Sequence, residues 1–543
     1  MASFGVCEIK KEFVVRRVVE ENEANNEETA DDEGGANGAH KKRAGGQNKK
    51  RPRVSRVPYG EKLCPSLLHS VKCPLKTCKY LHDVKHKPAD LDGRCPSFEA
   101  FGRCRFGLAC RFATQHTDDL LHNVVASLPS TNHLSKSVQQ QLRKRTYRFG
   151  GAGEHGDSNG LGSDYSGTVC LCAQQRTFDK HSLYDNWDHK LLLAPLTTLG
   201  NLPFRRLCVD YGAEITCSEM VLAEELLKGH QSEWALIRRH ESEKYFGVQL
   251  CGANADVMAK TAQLLMDQAQ VDFVDLNIGC PIDLVCQRGM GCALMGRTSR
   301  LRQIVERVAT VLNKDDHYVP LTAKLRTGTH CGIQKSVNTA HLLIPQLRDW
   351  GVNVISVHGR SRDQRFTKLA DWQYIGQCAR IAEPCPFYGF GDTLSFSDYL
   401  EKMEYIGVGG VGIARGALIK PWIFTEIQEK RHWDISASER LDMLKKYVWY
   451  GLQHWGSDQQ GVDLTRRFLL EMLSFMYRYV PVGLLQHVPQ RINERPPLYF
   501  GRNDLETLMA SSRSSDWVKI TEMLLGPVAD DFLFLPKHKA NSY

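Results

Sequence analysis

No stretch of the 543-residue chain approaches 18 consecutive apolar residues, which excludes a membrane-spanning helix of ordinary length. The opening residues, MASFGVCEIKKEF, lack the apolar core of a secretory signal. The 18 cysteines are therefore expected in a reducing compartment, cytoplasmic or nuclear, as thiols, metal ligands or catalytic groups rather than disulfides. Nor is there a large excess of either charge. The 70 basic and 62 acidic residues leave +8, so any case for a polyanionic partner rests on how the charge is distributed. Local absences are more telling. Residues 20–33 hold eight acids and no base, and residues 41–56 hold eight bases and no acid. Such blocks self-repel and bury little apolar surface, so residues 1–60 are expected to form a disordered tail. Its basic block reads equally as a nuclear-localisation or RNA-contacting segment and as a solvated tail with no partner.

What the chain has in density, next, is cysteine and histidine. Cys64-x8-Cys73-x4-Cys78-x3-His82 is followed after 12 residues by Cys95-x8-Cys104-x5-Cys110-x5-His116. Three thiolates and an imidazole complete a tetrahedral Zn2+ shell, and metal binding can fold a segment too short to have its own core. The two units resemble CCCH fingers, whose members commonly bind RNA. Lys72, Lys76, Lys79, Arg94, Arg103, Arg105 and Arg111 are interleaved there with Tyr80, Phe98, Phe101, Phe106 and Phe112. Cations for phosphates and rings for bases suit RNA, while about half of the rings are expected in the fingers' own small cores. A polar, basic, helix-like segment, Val138–Arg148, and a Gly/Ser/Asp-rich linker then lead to a different texture near residue 186.

Eight short apolar runs follow: KLLLAP, EITCSE, FGVQL, FVDLNIG, LTAKL, VISVHG, PFYGF and VGGVGIAR. Most are separated by helix-periodic stretches. That alternation predicts an α/β fold with a parallel sheet covered by helices, and the length predicts a closed (β/α)8 barrel. A doubly wound open sheet is the alternative, but no G-x-G-x-x-G follows the first strand. Barrel chemistry sits at the carboxyl ends of strands. Those ends carry Ala194-Pro195, Glu219, Gln249, Asn277 to Cys280, Lys324-Leu325-Arg326, His358-Gly359-Arg360, Gly391-Asp392 and Ala414-Arg415. The Gly-rich turns after the last two strands suit the phosphate of a mononucleotide such as FMN. Gln249 suits the pyrimidine edge of a flavin, and Lys324 suits the side of the ring where reduction leaves negative charge.

The runs APLTTLGNLPFRRLCVDYGAEITCSEM, VQLCG, DLNIGCP…GMGCALM, KLRTG, VHGRSRDQRFTKLADW and IARGALIKPWIF resemble the tRNA-dihydrouridine synthase family. RRFLLEMLSF, VPQRINERPPLYFGRN and PKHKANSY resemble its eukaryotic branch with CCCH fingers, assigned to uridine 47 of the tRNA variable loop. The resemblance implies an FMN-binding (β/α)8 TIM barrel with a C-terminal helical domain. It also implies NADPH as reductant and reduction of the uracil C5=C6 bond to give 5,6-dihydrouridine. On this resemblance Cys280 is the proton donor. Pro195, Leu196, Thr197, Gln249, Lys324, His358, Phe390, Gly391, Asp392, Ala414 and Arg415 form the FMN site, and Asn277, Arg326 and Arg360 are candidates for uracil or RNA contact. Cys286 and Cys292 share the loop of Cys280. The metal ligands are Cys64, Cys73, Cys78, His82, Cys95, Cys104, Cys110 and His116.

Two positions depart from the family pattern. Phe390 stands where Asn is usual, and Gly409-Gly410-Val411-Gly412 where larger residues are usual. A ring beside the phosphate loop and a glycine-rich strand are expected to weaken FMN contacts, and they keep open an RNA-binding zinc-finger protein with a catalytically weakened flavin barrel. A reductase of free pyrimidines is a second alternative, with no use for two fingers. The domain reading is tail 1–60, fingers 61–117, helical segment and linker 118–185, barrel 186–432 and helical tRNA-binding domain 433–543. Residues 466–502 hold six arginines and two acids among six aromatics, expected as a basic face for tRNA. A monomer is expected, and mRNA is an open second substrate.

Overall fold

The computed structural model describes residues 5–15, 57–68, 72–101, 104–116, 130–149, 186–313, 318–329, 338–364, 366–405 and 407–537. The acidic and basic blocks, the Gly/Ser/Asp-rich linker, Arg103, the side chain of Phe101 and the final residues of PKHKANSY lie outside them.

All eight apolar runs form strands: β1 Leu192–Leu193, β2 Ile215–Cys217, β3 Tyr245–Cys251, β4 Phe273–Ile278, β5 Leu321–Arg326, β6 Val354–His358, β7 Phe387–Phe390 and β8 Gly410–Ile413. Each pairs in parallel with the next, and β8 returns to β1 through Gly412 opposite Leu192, so the sheet closes into a barrel. The strands are short and buried almost throughout, as expected of parallel strands covered by helices. Helix ends follow local chemistry. Asn201, Asn254, Asp371 and Ser395 each accept a backbone N–H at the start of an outer helix.

The barrel interior is packed by unequal partners. A Cβ at Gly412 would lie 1.9 Å from the Phe390 ring, and one at Gly410 would lie 2.3 Å from the Tyr388 ring. The glycines that make the β8 sequence unusual therefore leave room for the rings of β7. Phe390 is 3% exposed and shares a buried cluster with Tyr388, Leu192, Phe273 and Trp187. The Phe390 ring packs over Gly412 within the barrel interior. Outside the barrel, Arg205 meets Glu243 at 2.7 Å with both side chains almost fully buried. Thr216 Oγ1 donates to the same carboxylate at 2.7 Å, joining helix Leu202–Asp210 to β2.

Beyond the barrel, α1 Ala437–Trp455, α2 Gln459–Met476, α3 Asp504–Ala510 and α4 Ser514–Leu525 form a helical domain. Ser436 and Glu439 make a reciprocal capping box on α1, and Asp458 caps α2. One segment differs from the sequence reading. Residues 5–15 are not a free tail. Their Cys7 and Ile9 alternate with Glu8 and Lys10, and the apolar pair buries against Val480, Leu484, Leu485 and Tyr499. Residues 130–149 include the helix Lys136–Lys144, where the sequence reading has a helix-like segment, and they are held to the barrel. Ser130–Thr131 pair with Arg239–His240, and the Tyr147 hydroxyl donates to Asp267 at 2.8 Å.

Candidate active site

A cavity of about 330 Å³ opens at the carboxyl ends of the strands, within the ~300–1,000 Å³ usual for small-molecule sites. Its walls include Pro195, Leu196, Thr197, Gln249, Asn277, Cys280, Lys324, Arg326, His358, Phe390, Gly391, Asp392, Ala414 and Arg415. The chain thus brings every nominated cofactor residue, Cys280 and two of the three substrate candidates to one place. The third candidate, Arg360, is fully buried behind the wall. Its guanidinium donates to both oxygens of Asp392 at 2.7 Å and to the Lys368 carbonyl. It is committed to holding the β7 loop and cannot meet RNA. Asp392 also takes a 2.9 Å contact from Arg415 and one of 2.7 Å from the Ala370 N–H, so the expected cofactor carboxylate is the hub of a buried ion cluster.

Hydrogen bonds organise the floor of the cavity. Asp275 accepts from Thr322 at 2.6 Å and from the Gln249 amide at 2.7 Å. The Gln249 oxygen in turn accepts from the Asn277 amide at 2.8 Å, and the Asn277 oxygen accepts the Cys280 N–H at 2.8 Å and the Gly279 N–H at 3.2 Å. Both polar ends of Gln249 are thereby fixed, and the Cys280 loop is tied to β4. Sequence reasoning passed over Asp275, although the alternation Asp275, Asn277 along β4 puts both on the inward face.

The charges are tuned by enclosure. Burial pulls the Lys324 ammonium down to about 8, against the attraction of Asp275. Its Nζ sits 4.0 Å from the centre of the Phe390 ring, a cation–π geometry. Burial, reinforced by Arg326, Lys324, Arg360 and Arg415, drives His358 well below its ordinary value, so its imidazole is neutral near pH 7. Arg326 donates to the Gly279 and Ser361 carbonyls, each at 2.9 Å.

Of the loop cysteines, only Cys280 lines the cavity. Burial pushes its thiol up from the ordinary value of 9.0, Cys286 adds to this, and the Ile282 N–H and Arg326 oppose it. Cys286 instead points its sulfur at the Cys280 carbonyl, 3.4 Å away. Cys292 is completely buried, with its thiol pushed to about 12 by burial.

The helical domain adds Phe475 and Ile492 to the wall, which no barrel-based reading finds. Its arginines need a correction. Arg466 is buried, donating to the Leu525 and Gly526 carbonyls at 2.8 and 2.7 Å. Arg478 is buried with the Ile492 carbonyl at 3.3 Å, and Arg502 is ion-paired to Asp434 and Glu506. Buried guanidiniums need acceptors, and those of Arg466 and Arg478 found them inside the domain, whereas Arg502 is exposed as well as ion-paired. Arg491 and Arg495 are exposed and Arg467 is half-exposed. Phe475, Tyr479 and Tyr499 are core residues, whereas Phe500 is exposed.

The ligand atoms of Cys64, Cys73, Cys78 and His82 lie within 4.8 Å of one another, as do those of Cys95, Cys104, Cys110 and His116. The sulfurs of Cys95 and Cys110 are 3.6 Å apart and those of Cys64 and Cys78 3.9 Å. Tetrahedral zinc with ~2.3 Å bonds places sulfurs ~3.8 Å apart. Both ring nitrogens of His116 are buried without a hydrogen bond. Both sets fit a zinc ion, and the long final spacing of the second unit is accommodated by a short 3-10 turn, Ala113–Gln115. The units differ in setting. His82, Lys72, Lys76 and Lys79 of the first are exposed, while Arg111, Phe106 and Phe112 of the second face the helical domain or the core.

Residues 192–467 match the family model described as dihydrouridine synthase (Dus), and residues 87–119 match the DUS3L CCCH zinc finger domain. A Mus musculus protein named tRNA-dihydrouridine(47) synthase [NAD(P)(+)]-like is 51% identical over 559 residues, covering 92% of this chain and 86% of its own. A Homo sapiens protein of the same name is 51% identical over 561 residues, covering 92% and 84%. The Coprinopsis cinerea tRNA-dihydrouridine(47) synthase [NAD(P)(+)] is 42% identical over 537 residues, covering 84% and 78%.

Proposed function

The chain belongs to the dihydrouridine synthase family, and from that premise we propose that it reduces uridine 47 of tRNA with FMN as cofactor, NADPH as reductant and Cys280 as proton donor. The position follows the names of its relatives. The donor set suits FMN. Gln249, Lys324, Gly391 to Thr393 and Ala414 to Gly416 line one cavity. An imide edge and a phosphate would each meet complementary groups.

Bound FMN would supply a hydride for C6 of the uracil. The balancing proton goes to C5, and the residues here are arranged to hold and deliver it. Cys280 keeps its S–H at neutral pH because enclosure disfavours the thiolate, and the Asn277 contact fixes its backbone. General-acid help of this kind is worth about 10²–10⁴-fold. Neutral His358 can donate one hydrogen bond without adding a further charge to the Lys324, Arg326 and Arg415 cluster. The target base must leave its stack to enter so deep a site, and Phe475 and Ile492 give it an apolar wall from the helical domain. Exposed Lys72, Lys76 and Lys79 on the first finger supply charge for the tRNA backbone.

The observation that carries the reading is that Cys280, alone among the loop cysteines, lines the same cavity as Gln249, Lys324 and His358. The test is to map dihydrouridine in tRNA from cells lacking the protein, then to restore wild type or Cys280→Ala. Loss at position 47 alone, restored by wild type and not by a flavin-loaded Cys280→Ala, supports it. Unchanged dihydrouridine at position 47 in the deleted cells would overturn it.

A further inference from the structure

The two Cys/His units look alike in sequence but are not equivalent in the fold. In the first, Cys73 and Cys78 are half-buried and His82 is exposed. In the second, Cys95, Cys104 and Cys110 are 0–1% exposed and belong to the same continuous apolar cluster as the barrel and the helical domain.

What covers the second cluster is the turn between α1 and α2. The Ser457 hydroxyl oxygen lies 3.0 Å from the Cys110 sulfur, 3.5 Å from that of Cys104 and 3.9 Å from that of Cys95. The backbone interlocks as well. The Arg111 N–H donates to the Ser457 carbonyl at 2.7 Å, and Cys110 and Asp458 form a β-bridge. Gly456, with φ +119°, lets the Phe106 ring approach to where a Cβ would be 2.3 Å away, an arrangement that demands glycine. Asp458, which bridges Cys110, is also the residue that caps α2.

Three thiolates outweigh the charge of one Zn2+ when the fourth ligand is a neutral imidazole, so the loaded cluster is negative, buried and in need of hydrogen-bond donors. The Phe112 N–H supplies one to Cys110 at 3.3 Å from within the finger. Ser457 can supply one from outside, since a thiolate offers no proton and the hydroxyl must donate.

We propose that the second zinc cluster is the joint between the N-terminal fingers and the helical domain, with Ser457 as its outer-shell donor, so that zinc occupancy there sets how firmly the α1–α2 hairpin is held. Among the described residues, the first finger meets the hairpin through Lys62, which contacts Gln460 and lies near Asp458, while its ligand His82 is exposed.

The test uses the full-length, zinc-loaded protein. Zinc release to a chromophoric chelator is expected in two phases, and His82→Ala removes the fast one, identifying the slow phase as the second cluster. Ser457→Ala should accelerate the slow phase by about 10–100-fold, the usual cost of losing an outer-shell partner, and leave the fast phase unchanged. Hydrogen exchange on the wild-type protein gives an independent reading. Stripping the slow zinc should raise exchange of the amides at 456–461 while those of β4 and β5 stay protected. A slow phase unmoved by Ser457→Ala, or hairpin amides indifferent to zinc, would overturn the proposal.

Discussion

The fit of Phe390 over Gly412 gives a prediction whose size can be worked out. Carbon atoms in van der Waals contact sit about 3.5–4.0 Å apart, and Gly412→Ala would place a methyl 1.9–2.1 Å from two Phe390 ring carbons. The ring must therefore retreat by more than 1.5 Å into an interior it shares with Tyr388, Leu192 and Val354, where close packing leaves little room. That places the substitution at the upper end of overpacking costs, about 3 kcal/mol. Phe390→Leu removes only part of the ring and should cost about 1–2 kcal/mol, against ~3–5 for full truncation. If the two residues are a matched pair, the double variant relieves the clash and its cost falls below the sum by about 2 kcal/mol, a normal coupling for touching residues. The assay is thermal unfolding of the four proteins followed by barrel tryptophan fluorescence. At about 2–4 °C per kcal/mol for a domain of this size, Gly412→Ala should lower the midpoint by roughly 6–12 °C. The double variant, at about 2–3 kcal/mol, should lower it by roughly 4–12 °C rather than the roughly 8–20 °C of additive losses. Additive losses in the double variant would refute the pairing, and a Gly412→Ala protein as stable as wild type would refute the packing argument itself.

Three further outcomes follow from the site. Because burial raises the Cys280 thiol above 9.0, single-turnover reduction should be flat through neutral pH and decline only as the thiol ionises on the alkaline side. Cys280→Ser should be slower by about 10²–10⁴-fold, without that limb; an acidic limit to the wild-type rate near pH 7 would contradict the assignment. Asp392→Asn leaves the Arg360 and Arg415 guanidiniums without their shared carboxylate, and should cost about 3–5 kcal/mol in denaturant unfolding. Replacing Lys324, held near 8 by burial, with Met should leave the flavin-free protein no less stable, since a buried ammonium is exchanged for an apolar chain, while weakening FMN binding as read by flavin fluorescence.

Much of the site was legible because barrel strands advertise themselves. Parallel strands covered on both sides read as continuous apolar runs, and the polar residues that interrupt them at their carboxyl ends converge by construction. The same logic failed where a residue's partner lies far along the chain. Arg360 looked like a substrate contact until Asp392 was seen to take its charge, and Arg466 and Arg478 looked like a basic face until their acceptors, the carbonyls of Leu525 and Ile492, were in view. Asp275 was hidden for the opposite reason, being read as one more residue of a strand although it orients Gln249.

Composition, spacing and strand periodicity by themselves determined the eight strands, the two tetrahedral ligand sets and the ring of polar groups at one barrel end, because each depends on residues near one another in sequence or on a repeating period. Only tertiary structure decided which of two similar fingers is buried, which arginines remain outside and why Phe390 is compatible with a cavity. Those answers depend on what packs against each group: the Gly456–Asp458 turn against the second finger, internal carbonyls against the arginines, and Gly412 beneath the ring. Burial is a property of pairs of surfaces, and a one-dimensional pattern names only one member of each pair.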